Sequence, residues 1–379
     1  MSRHVHNVVN DFRRLAEKNK LNISTEDLEI IAIQAKEGEK KVIRKVEQEL
    51  LAAIESVRDV KELDVHEKIN ILSEAVWTAK SRMYRHKKKE VDATEELEEL
   101  RKGKEIENTI WRRKGILNNI SSIRDSSGGF RQGYYIIAAD PNVGKSALLN
   151  TMSAGFLMHP EWCNIIYITL DDTVKETLRR ILASLIVNLN KKADITGNNI
   201  HINHVGNKQY TKDRENTRLV AIDMLKYCMD KDIITVHGAK TCRTRWDIDA
   251  VINRNLKKDR YNIVIIDGVR KIKVKAHGLE KDNIRADYLA DLADDYDIPL
   301  ITTGELRKNK EGVVGQADIK GSADYGYNAK YALAMEKNIN ESVDGDSYTV
   351  SCSVIKNKLT TAKPAFTLYP FPSSAYLTE

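Results

Sequence analysis

Apolar residues recur at helical spacing through the first 114 residues of the chain, a stretch that holds almost no Gly or Pro. Val42, Ile43, Val46, Leu50, Leu51, Ile54 and Val57 fall on one face of a 3.6-residue helix, and Lys, Arg and Glu fill the other. Ser24, Thr25, Glu26 and Asp27 ahead of Leu28 form a capped helix start, and residues 63–83 continue as a further amphipathic helix. Residues 91–111 read as a linker helix. The pattern then changes: SSIRDSSGGFRQG, at 121–133, is rich in Ser and Gly and reads as a loop, which places a domain boundary near Gly115.

Beyond it, short apolar runs at 134–138, 164–170, 233–236, 262–267 and 298–303 are separated by helical patterns. Such alternation predicts a mostly parallel sheet covered by helices. Residues 331–336, 348–356 and 365–369 alternate or run apolar around Asp344-Gly345-Asp346, which predicts an antiparallel extension at the sheet edge. The expected architecture is an all-α region at 1–114 followed by an α/β domain at 115–379.

Composition narrows the class of protein. With 379 residues, 41% of them hydrophobic, the chain has material for a large core and a second, smaller domain. No 18 apolar residues follow one another, and the first 20 residues contain no uninterrupted apolar segment, so neither a membrane span nor a secretory signal is expected. The expected location is the cytoplasm. Cys163, Cys228, Cys242 and Cys352 lack a C-x-x-C pair, and the nine histidines show no metal-ligand spacing. A net charge of +6 permits a polyanionic partner without demanding one. The basic run at 82–89 passes directly into acidic residues at 95–99 and reads as a solvated helix of mixed charge.

Candidate chemistry begins at residues 136–149, IIAADPNVGKSALL, where an apolar strand, a turn and an apolar helix follow in order. Ala139, Asp140, Pro141, Asn142, Val143, Gly144, Lys145, Ser146 and Ala147 have the form of a phosphate-binding loop, with Ala139 where the usual pattern begins with Gly. Gly144 lets the backbone approach a phosphate, the amides opening the helix point at the anion, Lys145 neutralises it, and the Ser146 hydroxyl is a ligand for Mg2+. ATP with Mg2+ is the expected cofactor. YNIVIID, ending in Asp267, is an apolar strand closed by a carboxylate suited to the same Mg2+. IIYITLDDT ends in Asp171 and Asp172, either of which is suited to activate water, while Asp172 or Thr173 is also suited to cap the next helix. Lys271, Lys273 and Lys275 alternate in a basic segment after Asp267, on one side of an extended strand if the segment is one. A second basic segment carries Arg307, Lys308 and Lys310.

Gly128-Gly129-Phe130-x-x-Gly133, the 139–146 loop, Thr169-Leu170-Asp171, Ile265-Ile266-Asp267, Thr303-Gly304-Glu305-Leu306-Arg307 and Asp318-Ile319-Lys320-Gly321-Ser322 occur in this order. The series resembles the RecA-type motor domain of the DnaB-like replicative helicases, over roughly residues 116–379. That resemblance implies a RecA-like P-loop NTPase core in a ring, usually a homohexamer, that encloses single-stranded DNA and couples ATP hydrolysis to translocation and unwinding. It further implies a replisome setting, with a primase or a helicase loader as partner, and makes the 271–275 and 307–310 lysines and arginine central DNA-binding loops. Three positions depart from the family. Asp171 stands where the family has Glu, Glu305 where it has Gln, and Lys358 where it has an Arg that reaches the neighbouring subunit's nucleotide, with Lys356 as the other cation of that segment. Lys lacks the planar fork of Arg. Two other readings stay open: a recombinase or regulatory ATPase without unwinding, and a nucleotide-gated DNA-binding scaffold with little turnover.

Overall fold

The computed structural model describes residues 119–192, 212–257, 259–307, 315–339, 348–371 and 376–379, with isolated positions between 48 and 72. The helices and the basic run expected in 1–114, the turn at 344–346, and Lys308 and Lys310 lie outside the described residues. The chain divides into two compact units, Met1–Glu105 and Ile106–Glu379, and the fold below is that of the second.

Its centre is made by strands that are apolar on consecutive residues. β1 (Gly133–Ala139) and β2 (Cys163–Thr169) are buried at every position, and β4 (Tyr261–Asp267) is buried from Ile263 onward. Continuous apolar runs of this kind suit parallel strands covered on both faces. With β3 (Ile234–Gly238) and β5 (Pro299–Glu305) they form a sheet that continues through β6 (Tyr331–Ile339), β7 (Tyr348–Asn357), β8 (Ala365–Phe371) and β9 (Tyr376–Thr378). The strand order is β3-β2-β4-β5-β1-β6-β7-β8-β9. Ala139 lies opposite Glu305, and Thr169 opposite Asp267, so the carboxyl ends of β1, β5, β2 and β4 finish together.

Two long crossovers place α2 (Lys145–Leu157) and α3 (Val174–Lys192) on one face, where Leu148, Leu149, Ile181 and Leu185 share a core with Tyr135, Ile137, Ile165 and Tyr167. The alternate residues Ile136, Ile166 and Val264 are buried as well, and α6 (Gly278–Asp295) packs on β1 and β5, while α5 (Arg245–Asn255) packs on β2. α4 (Lys212–Asp230) packs on α3. Among the described residues no helix is long and apolar enough to cross a membrane, and all four cysteines are free and buried.

Two local expectations change. The Ser- and Gly-rich stretch at 121–133 opens not as a loop but as a helix, α1 (Ser121–Ser127). The Glu379 side chain accepts hydrogen bonds from the backbone amides of Ser121 (3.0 Å) and Ser122 (2.6 Å), supplying the first turn's missing acceptors from 257 and 258 residues away. Gly128, at φ 65°, ends the helix in the left-handed region that a Cβ disfavours. At the other end, β6 is parallel to β1 and antiparallel to β7, so the antiparallel extension begins at β7.

Candidate functional site

The turn from β1 to α2 is shaped by two residues in the left-handed region, Asn142 (φ 63°) and Gly144 (φ 116°). Space is not what selects Gly144, since a Cβ there would meet its nearest atom at 3.7 Å; the backbone angle is. Leu148 N then donates to Gly144 O at 2.9 Å, starting α2 with its first amides directed out of the turn. Ala139 is the buried last residue of β1, hydrogen-bonded through its carbonyl to Leu306 N at 3.2 Å. Lys145 folds back over the turn, and its Nζ donates to the carbonyls of Ala139 and Asp140, both at 2.9 Å. Burial lowers the Lys145 ammonium from its ordinary value, opposed first by Glu305 and then by Asp267, Asp140 and Asp171.

Asp267 ends β4 at 2% exposure. Its carboxylate accepts hydrogen bonds from Thr303 Oγ1 at 2.7 Å and from Ser146. Burial raises the Asp267 carboxyl, Ser146 and Thr303 pull it down, and Asp171 and Asp172 push it further up. Thr303 also accepts from Gly268 N at 2.8 Å, so one hydroxyl ties the end of β4 to the end of β5. Ser146 and Asp267 offer a hydroxyl and a carboxylate side by side, the hard-oxygen donor set that suits Mg2+ with its remaining ligands drawn from phosphate and water. Among the described residues no cluster of three or more His, Cys, Asp or Glu is placed to hold a metal.

The adjacent carboxylates after β2 have separate surroundings. Asp172 forms an ion pair with Arg180 of α3, and the helix is capped instead by Thr173, whose Oγ1 accepts from Glu176 N at 3.2 Å while Glu176 accepts from Thr173 N at 3.1 Å. Asp171 stands against Gly268, at φ 86°, where a Cβ would lie 2.7 Å from Asp171 Oδ2. It is the more exposed of the two carboxylates, and Lys271 Nζ approaches it to 3.4 Å. Glu305 is held by Arg270 at 2.9 Å and Lys320 at 2.8 Å, and the Lys320 hydrogen bond leads the causes that lower its carboxyl. A cleft of about 540 Å³ brings these groups together, lined by the β1–α2 turn, Asp171, Asp172, Arg180, residues 268–271, Thr303 and Glu305. Arg180 was not singled out from sequence, and Arg270 only as the opening residue of the basic segment, since only the folded chain brings each to its carboxylate. Thr303 lies in a segment singled out from sequence, although its bridging hydroxyl was not.

The basic segment after Asp267 departs from the expected extended strand. Gly268 opens a 3-10 turn at Val269–Lys271, which carries Lys271 into the cleft toward Asp171. Lys273 and Lys275 are exposed on the following stretch, with Ile272 buried between Lys271 and Lys273. Ile272 O accepts from Arg285 Nε (2.9 Å) and Nη2 (2.7 Å), and Lys273 N donates to Arg243 O at 2.9 Å. The row of three lysines on one strand is therefore a pair outside the cleft and one within it. Arg307 is exposed, its amide bound to Asp318 O at 2.7 Å.

Lys356 and Lys358 do not share a role. Lys356 is buried, and its Nζ donates to the carbonyls of Gly326, at 2.9 Å, and Tyr327, at the end of α7 (Asp324–Asn328). Burial and then the charge of Lys358 push the Lys356 ammonium down to about 8. Lys358 is exposed. Tyr135 pairs with Tyr331 and Tyr331 with Asn357, whereas the cleft opens beyond Ala139, four residues on; at ~3.3 Å per residue Lys358 is ~13 Å or more from its own cleft along the sheet.

A central, mostly parallel sheet flanked by helices, a β1–α2 turn of this shape and antiparallel strands added at the C-terminal edge make an α/β fold of the RecA-like type with a C-terminal extension. Solved structures agree in fold. One of them, an isolated ATPase domain, superposes with a TM-score of 0.58 at 13% identity, over 75% of this chain and 98% of that one. A DnaB-like replicative helicase, solved to show its interactions with primase, superposes with a TM-score of 0.56 at 13% identity, over 90% of this chain and 92% of that one. No protein-family model matches the chain, and no curated protein does.

Proposed function

We propose that the chain binds ATP with Mg2+ in this cleft and hydrolyses it as the motor of a ring that moves along single-stranded DNA. The observation that carries the proposal is the convergence of Lys145, Ser146, Asp171 and Glu305 on one cleft of about 540 Å³, a size suited to a small ligand, with buried Asp267 hydrogen-bonded to Ser146 and Thr303 of its lining. In that reading the α2 amides and Lys145 bind the β- and γ-phosphates, and Ser146 and Asp267 hold the ion. Mg2+ neutralises phosphate charge and polarises the transferred group. Asp171, exposed beside Gly268, takes the proton of the attacking water, while Asp172, paired with Arg180, positions the loop that carries it. In this reading Lys358 supplies charge to a neighbour's cleft in a ring, a homohexamer by analogy with the helicases the chain resembles; its exposure and its distance from its own cleft support that role. The 273–275 lysines and Arg307 track a DNA backbone, and a primase or a loader is the expected protein partner.

One observation favours the scaffold reading: Asp171, Asp172 and Glu305 each have a cationic partner, so a carboxylate must leave an ion pair before it acts as a base. ATP hydrolysis measured with and without single-stranded DNA, alongside native mass spectrometry, tests both. Phosphate release stimulated by DNA from an oligomer is expected, and Lys145→Ala should abolish nucleotide binding. Binding without release establishes the scaffold; full binding by Lys145→Ala refutes the cleft assignment.

A further inference from the structure

Glu305 is the one cleft carboxylate with two cations on it among the described residues, Arg270 at 2.9 Å and Lys320 at 2.8 Å. The two are not equivalent. Arg270 lines the cleft, whereas Lys320 approaches Glu305 without lining it. The backbone that carries Arg270 is fixed on both sides, by buried Val269 before it and by the Lys271 N to Gly268 O (2.9 Å) and Ile272 N to Val269 O (3.1 Å) hydrogen bonds after it. Its guanidinium is incompletely satisfied: Nη1 is bound to Glu305, while Nε is shielded from solvent and has no hydrogen-bond partner. A shielded donor without an acceptor is costly, and an oxyanion brought within reach of the fork would satisfy it. Arg270, Glu305 and Lys145, the ammonium assigned to the phosphates, line the same cleft.

We infer that Arg270 is a γ-phosphate ligand supplied by the same chain that holds the nucleotide, released from Glu305 when a triphosphate binds, with Lys320 remaining to neutralise the carboxylate. The inference rests on the proposed ATP site and deepens it. Glu305 then acts as a competitor for the guanidinium: a diphosphate leaves Arg270 on Glu305, and a triphosphate draws it away. Selectivity between ATP and ADP is thereby set by a carboxylate and an arginine from two different strand ends. A guanidinium also suits this site better than an ammonium would, because its planar fork bonds two phosphate oxygens at once.

Equilibrium titration of the full chain with a fluorescent β,γ-imido ATP analogue and with the matching ADP, both with Mg2+, tests the assignment. Arg270→Ala should weaken the triphosphate analogue about 10- to 100-fold, the scale of a charge-assisted hydrogen bond, and change ADP affinity by less than about 2-fold. Arg270→Lys should fall between. Glu305→Gln should act in the opposite direction, tightening the analogue by more than it tightens ADP, and the double variant should discriminate between the two nucleotides no better than Arg270→Ala. A pair that merely latches two strand ends together gives no such gain. Equal losses for both nucleotides in Arg270→Ala, or no gain in Glu305→Gln, overturn the assignment. Failure of the unaltered chain to bind either nucleotide overturns the ATP site itself, and this inference with it.

Discussion

Thr303→Val removes a single hydroxyl and keeps the side chain's volume, and the structure makes its cost calculable. Thr303 Oγ1 donates to the Asp267 carboxylate at 2.7 Å and accepts from Gly268 N at 2.8 Å, both buried. Losing a hydrogen bond to a charged group costs about 1.5–3 kcal/mol, and stranding a buried amide about 1–3 kcal/mol, so a loss of about 2.5–6 kcal/mol is expected. Thr303→Ser is the control, because it keeps the hydroxyl and gives up one methyl, worth about 0.8 kcal/mol. Both variants should be compared by thermal unfolding over a range of pH. Burial raises the Asp267 carboxyl, so between the ordinary carboxylate range and its folded value the folded chain binds more protons than the unfolded one. This group's stabilising contribution is complete below that window and is lost as pH rises through it. Removing the Thr303 donor raises the carboxyl further and extends the window upward. The deficit of Thr303→Val relative to Thr303→Ser should therefore grow from acid toward neutral pH. A difference under about 0.5 kcal/mol at neutral pH, or one that grows on acidification, would refute the bridging role.

Gly268→Ala should lower thermal stability, because φ is 86° there, and should also lower hydrolysis by the folded protein, because the added Cβ would lie 2.7 Å from Asp171 Oδ2 and force the proposed base aside; equal turnover in the variant removes Asp171 from that position. Asp171→Asn should retain nucleotide binding and lose at least roughly 100-fold in turnover, the scale of a general base, whereas Asp172→Asn, which breaks the Arg180 pair, should lose less; the reverse order in steady-state phosphate release exchanges their roles. Replacing Lys273 and Lys275 with Ala should weaken single-stranded DNA binding and flatten its salt dependence, since each phosphate contact on a single strand releases about 0.7 counterion; an unchanged slope in titrations at several salt concentrations makes the segment an ordinary solvated loop. Lys358→Ala mixed with Lys145→Ala should recover hydrolysis that neither has alone, because an intact cleft facing an intact Lys358 forms only between unlike subunits; no recovery, despite subunit exchange seen by native mass spectrometry, argues against a shared site.

What was legible in the sequence follows from physics that acts locally. The β1, β2 and β4 runs stand out because parallel strands covered on both faces must be apolar at successive positions, and the β1–α2 turn stands out because its Gly, Lys and Ser are each demanded by backbone or charge. α1 was hidden because its N-terminal acceptor is Glu379, a contact no window around Ser121 contains. Arg180 was hidden for a related reason. It lies eight residues after Asp172, and pairs with it only across the bend at 170–172 and the first turns of α3. For Lys271 the alternation was real but the backbone was not extended: Gly268, at φ 86°, starts a tight turn, and a period of two then no longer assigns a common side.

The departures from the helicase pattern gain meaning from their neighbours. Without partners, Glu305 would add an uncompensated charge to a site that already holds Asp171, Asp172 and Asp267, and the phosphates of the proposed ligand would be repelled. The fold answers with Arg270 from the end of β4 and Lys320 from the β5–β6 connection, both on the same carboxylate. Glu305 and its cations therefore form a unit, and substituting Glu305 alone changes what Arg270 does. Lys358 follows the same logic with the sign reversed. Its neighbour Lys356 is fixed on the Gly326 and Tyr327 carbonyls and depressed to about 8 by burial and by Lys358 itself, so of these two cations it is Lys358 that is exposed and able to reach outward. In the proposed ring a lysine there would deliver charge to a neighbouring cleft but not a two-pronged grip, and an arginine inside the cleft, Arg270, would provide the fork that Lys358 lacks.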